Sequence, residues 1–247
     1  MNKDIRALEP TELWNNFADL NAVPRGSKKE QRVIQFMVDF GEKLNLKTVV
    51  DPVGNVIIKK PASKGMENRK TVVLQSHLDM VHQKNSDTNF DFDKEGIKMV
   101  VDGDWVRADG TTLGADNGLG VAAIMSILES KTIKHPPLEA LFTIDEETGM
   151  TGAMGLQANY LNGEILLNLD TEEDDEIDIG CAGGIDVTAE NTYNEVGAPV
   201  NSGGYLISVT GLKGGHSGMD IHKGLGNANK IMNRLLYETK EFIRISE

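Results

Sequence analysis

Three stretches of this chain place acidic and imidazole side chains directly after apolar runs. Val72-Val73-Leu74-Gln75-Ser76 leads into His77-Leu78-Asp79, and Leu141-Phe142-Thr143-Ile144 leads into Asp145-Glu146-Glu147. Ile165-Leu166-Leu167-Asn168-Leu169 leads into Asp170. In an open α/β sheet, ligands bind at the carboxyl ends of the strands, so His77, Glu146, Glu147 and Asp170 are expected on one rim. A further acid, Asp116, falls at the start of a helical pattern, where a negative charge suits the helix dipole. Two carboxylates ~4 Å apart repel by roughly 4 kcal/mol at an effective dielectric near 20, so the group needs a cation. One imidazole among carboxylates suits zinc, manganese or cobalt better than calcium. Two metal ions fit better than one, because the carboxylates then leave a positive excess that suits a bridging hydroxide. Asp79 is placed to hold the second nitrogen of His77, and one of Glu146 and Glu147 can ligate while the other faces water. A metal-activated water beside a carboxylate base hydrolyses amides or esters.

The elements that must position these residues follow from periodicity. Thr11 can cap a helix over 12–20, with Leu13, Trp14, Phe17 and Leu20 at helical spacing. A second helix after Ser27 carries Val33, Ile34, Phe36, Met37, Phe40 and Leu44 on one broad face. The β-branched runs at 47–50 and 55–60 flank Asp51-Pro52-Val53-Gly54 and read as a hairpin. A second hairpin, 97–101 with 104–107, turns at Asp102-Gly103. Buried strands are expected over 71–75, 138–144 and 164–169, with helices over 117–129 and 153–159 between them. This alternation predicts an α/β catalytic domain, residues 1–186, with a largely parallel central sheet. Beyond it, 187–192 and 205–210 alternate like half-exposed strands and 224–240 reads as an amphipathic helix. Residues 187–247 are therefore the expected start of a smaller α+β domain.

Composition narrows the class. The chain has 247 residues, 39% of them hydrophobic, and 25 Lys+Arg against 38 Asp+Glu give a net charge of −13. That balance, with no basic stripe, argues against nucleic acid and against an anionic membrane surface. The uncharged stretch 118–128 is far short of the ~18 residues of a spanning helix, and no signal-peptide core follows Met1. The single cysteine, Cys181, fits a reducing compartment, and the expectation is a cytoplasmic protein. Cys181 itself reads as a small apolar residue. The glycine-rich segment 211–218 lacks the final Gly-Lys-Ser/Thr of a phosphate loop.

Four motifs in order, Ser76-His77-Leu78-Asp79-Met80, Gly114-Ala115-Asp116-Asn117-Gly118, Asp145-Glu146-Glu147-Thr148-Gly149 and Asn168-Leu169-Asp170-Thr171, resemble those of the dinuclear zinc exopeptidases. That family includes peptidase T and the carnosinases. Leu113 before the second motif, and Cys181-Ala182-Gly183-Gly184, resemble its aminoacyl-histidine dipeptidase branch. The resemblance implies that His77, Asp116 and Asp170 hold one zinc and that Asp116 bridges to a second, also bound by Glu147. It implies Glu146 as general base, Asp79 as the residue orienting His77, and a cis bond at Asp116–Asn117. It makes His216, in Gly214-Gly215-His216-Ser217-Gly218, a substrate-binding residue of a lid domain through which family members can form homodimers. The implied reaction is hydrolysis of Xaa-His and related dipeptides. The alternatives are a related amidohydrolase (an N-acyl amino acid deacylase or a tripeptidase) and a catalytically silent metal-binding fragment. Family members are longer, and a later segment supplies a final His to the second zinc. His82, His135 and His222 lie in none of the motifs, so this chain is expected to be an N-terminal part with an incomplete second metal site, inactive alone.

Overall fold

The structure, a computed structural model, describes residues 3–171, 175–181, 183–185, 187–215, 218–241 and 243–245. By its own contacts the chain divides into two units, Met1–Ile179 and Gly180–Glu247.

The first unit is built on a five-stranded sheet of β1 (Lys47–Val50), β2 (Val56–Lys60), β3 (Val72–His77), β6 (Leu138–Thr143) and β7 (Ile165–Asn168), in the order β1-β2-β6-β3-β7. The strands β6, β3 and β7 run parallel, and the β1–β2 hairpin joins them antiparallel to β6. The inner sheet is therefore largely parallel, as the alternation of strands and helices predicts. Three helices, α1 (Thr11–Leu20), α2 (Gln31–Lys43) and α3 (Ala115–Glu129), share a core with one face of the sheet. Val56, Ile58, Leu74, Ala140 and Phe142 point into that core beside Leu20, Met37, Val121, Ile124 and Leu128. The alternate residues Ile57, Val73 and Leu141 point the other way, onto Leu156, Tyr160 and Leu161. This is the period of two that a sheet covered on both faces requires. A separate two-stranded hairpin, β4 (Met99–Asp102) with β5 (Trp105–Ala108), belongs to a second cluster that includes Ile5, Phe17 and Ala122.

Side chains fix the ends of these elements. In the β1–β2 turn, Asp51 Oδ1 accepts from the backbone N–H of Val53, Gly54 and Asn55 at 3.1, 2.9 and 2.8 Å, and Gly54 takes a positive φ of 111°. Asn55 Nδ2 then donates to Gly152 O at 2.8 Å, which braces the segment after β6. At the far end of α3, Lys60 Nζ donates to Ile127 O and Ser130 O, closing carbonyls that the helix leaves open.

Several expectations change. Thr11 is the first residue of α1 rather than its cap, and the Glu9 carboxylate accepts from both Thr11 N and Thr11 Oγ1. The helix expected over 153–159 starts earlier and stops short, as α5 (Thr151–Gly155), because Leu156 turns extended and packs onto the sheet; a one-turn helix, α4 (Glu146–Gly149), precedes it, parted from it by Met150 at a positive φ of 55°. Strand β7 lies at the sheet edge with Ile165, Leu166 and Leu167 exposed, where burial on both faces was expected. In the second unit, the described parts of 187–192 and 205–210 form no strand, since alternation alone supplies no partner for the backbone ladder. That unit does contain α6 (Ala228–Thr239), whose first turn is capped by Asn227 Oδ1 accepting from Lys230 N at 2.9 Å. Among the described residues, no helix is long and apolar enough to cross a membrane.

Phe142 is wholly buried at the centre of the sheet–helix core. Phe142→Ala is expected to lower unfolding free energy by roughly 3–5 kcal/mol, whereas Trp105→Ala, on an exposed hairpin, should change it by about 0.5 kcal/mol or less. Urea denaturation of both variants checks the contrast.

Candidate metal centre

Parallel pairing brings the chemistry to one rim. His77, the last residue of β3, stands in register with Thr143 of β6, so Asp145 and Glu146 emerge beside it. Asn168 of β7 stands opposite Gln75, and Leu169 N donates to Gln75 O at 2.9 Å, which carries Asp170 up to the same level. Asp116 arrives from the other direction, at the start of α3. Its loop turns at Gly114 (φ 71°), and two non-helical residues, Asp116 and Asn117, follow, joined by a cis peptide bond as the resemblance implies.

The buried His77 ring faces carboxylate oxygen on both sides. Nε2 lies 3.0 Å from Asp116 Oδ1, 3.9 Å from Asp170 Oδ2 and 4.0 Å from Glu146 Oε2, and Nδ1 lies 3.2 Å from Asp79 Oδ1. Burial pushes the imidazolium towards neutrality, but the hydrogen bonds to Asp116 and Asp79 and the charge of Asp170 outweigh it and raise the ring to about 10. Asp79, with no exposed surface, is the anchor. Its carboxylate accepts from Ser27 Oγ at 2.8 Å, Glu146 N at 3.0 Å and Glu147 N at 3.2 Å. Burial would raise this group, yet the bonds from His77, the Glu146 amide and Ser27 hold it down at about 2.

The remaining carboxylates shift the opposite way. Glu146 is raised mainly by burial, then by the charges of Asp170, Asp79 and Asp116, and Glu147 by burial, then by Asp116. Asp170 is raised by burial and by Asp116, although Asn117 Nδ2 donates to its Oδ1 at 2.8 Å. Burial first, and the neighbouring acids after it, oppose ionisation of these three groups, a cost that a cation among them would offset.

The donor set fits a divalent metal. Ligand atoms of His77, Asp116 and Asp170 all lie within 4.8 Å of one another. The separations of 3.0 and 3.9 Å from His77 Nε2 are within the ~4.2–4.4 Å that two ligands of one zinc at ~2.1–2.2 Å can span. Glu147 lies outside that group of three, and its amide is held on Asp79. His216 lies outside the described residues.

Reasoning from sequence missed the residues that brace the candidate ligands. Ser27 figures there only as the residue before a helix, and Asn117 only as part of a glycine-flanked turn. Glu30, fully buried, accepts from Asp145 N at 3.0 Å and with Asp79 and Asp145 forms a second acidic group below the rim. Arg25, also buried, donates to backbone carbonyls on two of the loops. A polar residue after an apolar helix carries no periodic signal that it will be buried; only the fold shows it.

The sequence profile of peptidase family M20/M25/M40 matches residues 73–206, more than half of the chain and the whole of this rim. The chain belongs to that family. Its M20 fold and its metal dependence agree with the α/β sheet and the donor cluster described above. Over 94% of its length the chain is 48% identical to the cytosol non-specific dipeptidase of Escherichia coli, of which it covers 48%. The crystal structure of the aminoacylhistidine dipeptidase from Vibrio alginolyticus superposes with a TM-score of 0.72 at 47% identity, over 94% of this chain and 47% of that one. The aminopeptidase PepT of Bacillus cereus superposes with a TM-score of 0.56 at 25% identity, over 66% of this chain and 43% of that one. The chain spans about half the length of the relatives it matches.

Because His77 is held protonated up to about 10, a metal that binds Nε2 must displace a proton at neutral pH. Zinc affinity is expected to rise about tenfold per pH unit between roughly pH 6 and 8, for one displaced proton. Calorimetric titrations in buffers of different ionisation enthalpy measure the release, and a pH-independent affinity would remove His77 from the ligand set.

Proposed function

We propose that the protein is a metal-dependent dipeptidase of the cytoplasm that hydrolyses Xaa-His and related unblocked dipeptides. The observation that carries this reading is the convergence of His77, Asp116 and Asp170 on one point, with the Glu146 carboxylate 4.0 Å from the same imidazole nitrogen. Its relatives support the substrate class, since those from Escherichia coli and Vibrio alginolyticus are named as dipeptidases.

In this reading His77, Asp116, Glu147 and Asp170 would hold two zinc ions, with manganese or cobalt as alternatives, and Asp116 would be a ligand common to both. The metal supplies Lewis acidity, which polarises the scissile carbonyl and lowers the pKa of water. The side chains do the rest. Asp79 keeps the Nδ1 proton of His77 in place, so Nε2 is the nitrogen that faces the ligands. Glu146, raised towards neutrality by its half-buried position, takes a proton from the attacking water and delivers it to the departing amine nitrogen. His216 would meet the substrate carbonyl as charge develops on its oxygen, from a lid domain that begins near residue 187 and through which two copies could pair. The partner is a small peptide; the acidic charge of the chain offers nothing to nucleic acid.

The test is a pair of measurements on one variant. In a full-length protein that carries this rim, Glu146→Gln is expected to lower kcat by about 10²- to 10⁴-fold, the usual contribution of a general base, with zinc content close to wild type. Loss of zinc together with loss of turnover would make Glu146 a ligand and Glu147 the base. Activity confined to N-acetyl amino acids, with none on Xaa-His dipeptides, would replace the dipeptidase reading with a deacylase.

A further inference from the structure

Arg25 lies between α1 and α2 with 1% of its surface exposed, and a wholly buried arginine needs a reason. Its Nη1 donates to Leu78 O at 2.9 Å and to Asp79 O at 3.1 Å, on the loop that leaves β3. Its Nη2 donates to Gly114 O at 2.5 Å and to Asn21 Oδ1 at 3.1 Å, and Asn21 Nδ2 in turn donates to Leu113 O at 3.0 Å. The Arg25 carbonyl accepts from Met80 N at 3.1 Å. One side chain thus ties the loop carrying His77 and Asp79 to the loop carrying Asp116.

The glycines of the Asp116 motif are explained by the same group. A Cβ at Gly114 would stand 2.5 Å from Arg25 Nη2, and one at Gly118 would stand 2.6 Å from it. The turn can close on the guanidinium only because both positions lack a side chain.

We infer that Arg25 is a positioning residue for the metal centre, fixing the separation of His77 from Asp116 by binding the backbone of both loops at once. This inference rests on the metal reading above. Arg25 makes its hydrogen bonds to carbonyl oxygens and the Asn21 amide, so its charge lies beneath Asp79, Asp116 and Glu147 without competing for their ligand oxygens. Burial lowers the guanidinium to about 10 against the pull of those acids, so it stays charged at neutral pH. A lysine would keep the charge and lose the planar fork that reaches both loops.

The test compares zinc dissociation constants, by competition with a chelator, for the wild-type protein, Arg25→Lys and Asn21→Ser. Melting temperatures in EDTA are measured alongside. Arg25→Lys is expected to weaken zinc binding about 10- to 100-fold, as loss of a group that orients metal ligands does. Asn21→Ser, which keeps Arg25 and removes one of its acceptors, should weaken it about fivefold. A purely structural role would lower the EDTA melting temperature and leave the dissociation constants unchanged, and that result overturns the inference. Should Arg25→Lys fail to fold, Asn21→Ser decides alone: unchanged zinc affinity overturns the proposal and weakened affinity supports it. A wild-type protein that binds no zinc overturns the metal reading itself, and this inference with it.

Discussion

Repulsion among carboxylates is the constraint on which the rest of this structure depends. Asp116, Glu146 and Asp170 crowd one buried imidazole at the end of a parallel sheet, with Asp79 directly behind it and Glu147 next to Glu146 in the chain. Left to themselves such groups separate or take up protons, and Glu146, Glu147 and Asp170 are all raised, by burial first and by the neighbouring acids after it. The backbone nonetheless presents them to a common point. A divalent cation resolves the conflict, and the scaffold holds the ligands ready for it.

Each part of the scaffold meets that constraint in its own way. The parallel register of β6, β3 and β7 delivers three strand ends to one level, which antiparallel neighbours would not do. Asp79 is satisfied by two amides and a hydroxyl, so it stays ionised where it must hold His77. Asn117 reaches across to Asp170 and Leu169 O, joining the start of α3 to the end of β7. Far from the rim, the Asp51 turn and the grip of Lys60 on the end of α3 keep these elements from sliding past one another.

The candidate ligands are legible in the sequence because they sit where periodicity stops. An apolar run that ends in His77-Leu78-Asp79 or Asp145-Glu146-Glu147 announces both a strand and a site. The hairpins and most helices were legible for the same reason, from β-branched runs and helical spacing. What escaped has no local signature. The exposure of β7 is set by its place at the sheet edge, and the early end of α5 by the burial of Leu156 against Ile57, Val73 and Leu141. Arg25 and Glu30 carry no periodic signal, and only the packing of their segment beneath the rim buries them, with Ser27 half-buried between them on Asp79.

The most direct measurement is an anomalous difference map, recorded at the zinc absorption edge, from crystals of the zinc-loaded protein. The account predicts a peak within bonding distance of His77 Nε2 and of carboxylate oxygens from Asp116 and Asp170, at ~2.0–2.2 Å. A peak held by other side chains, or none at this rim, would contradict it.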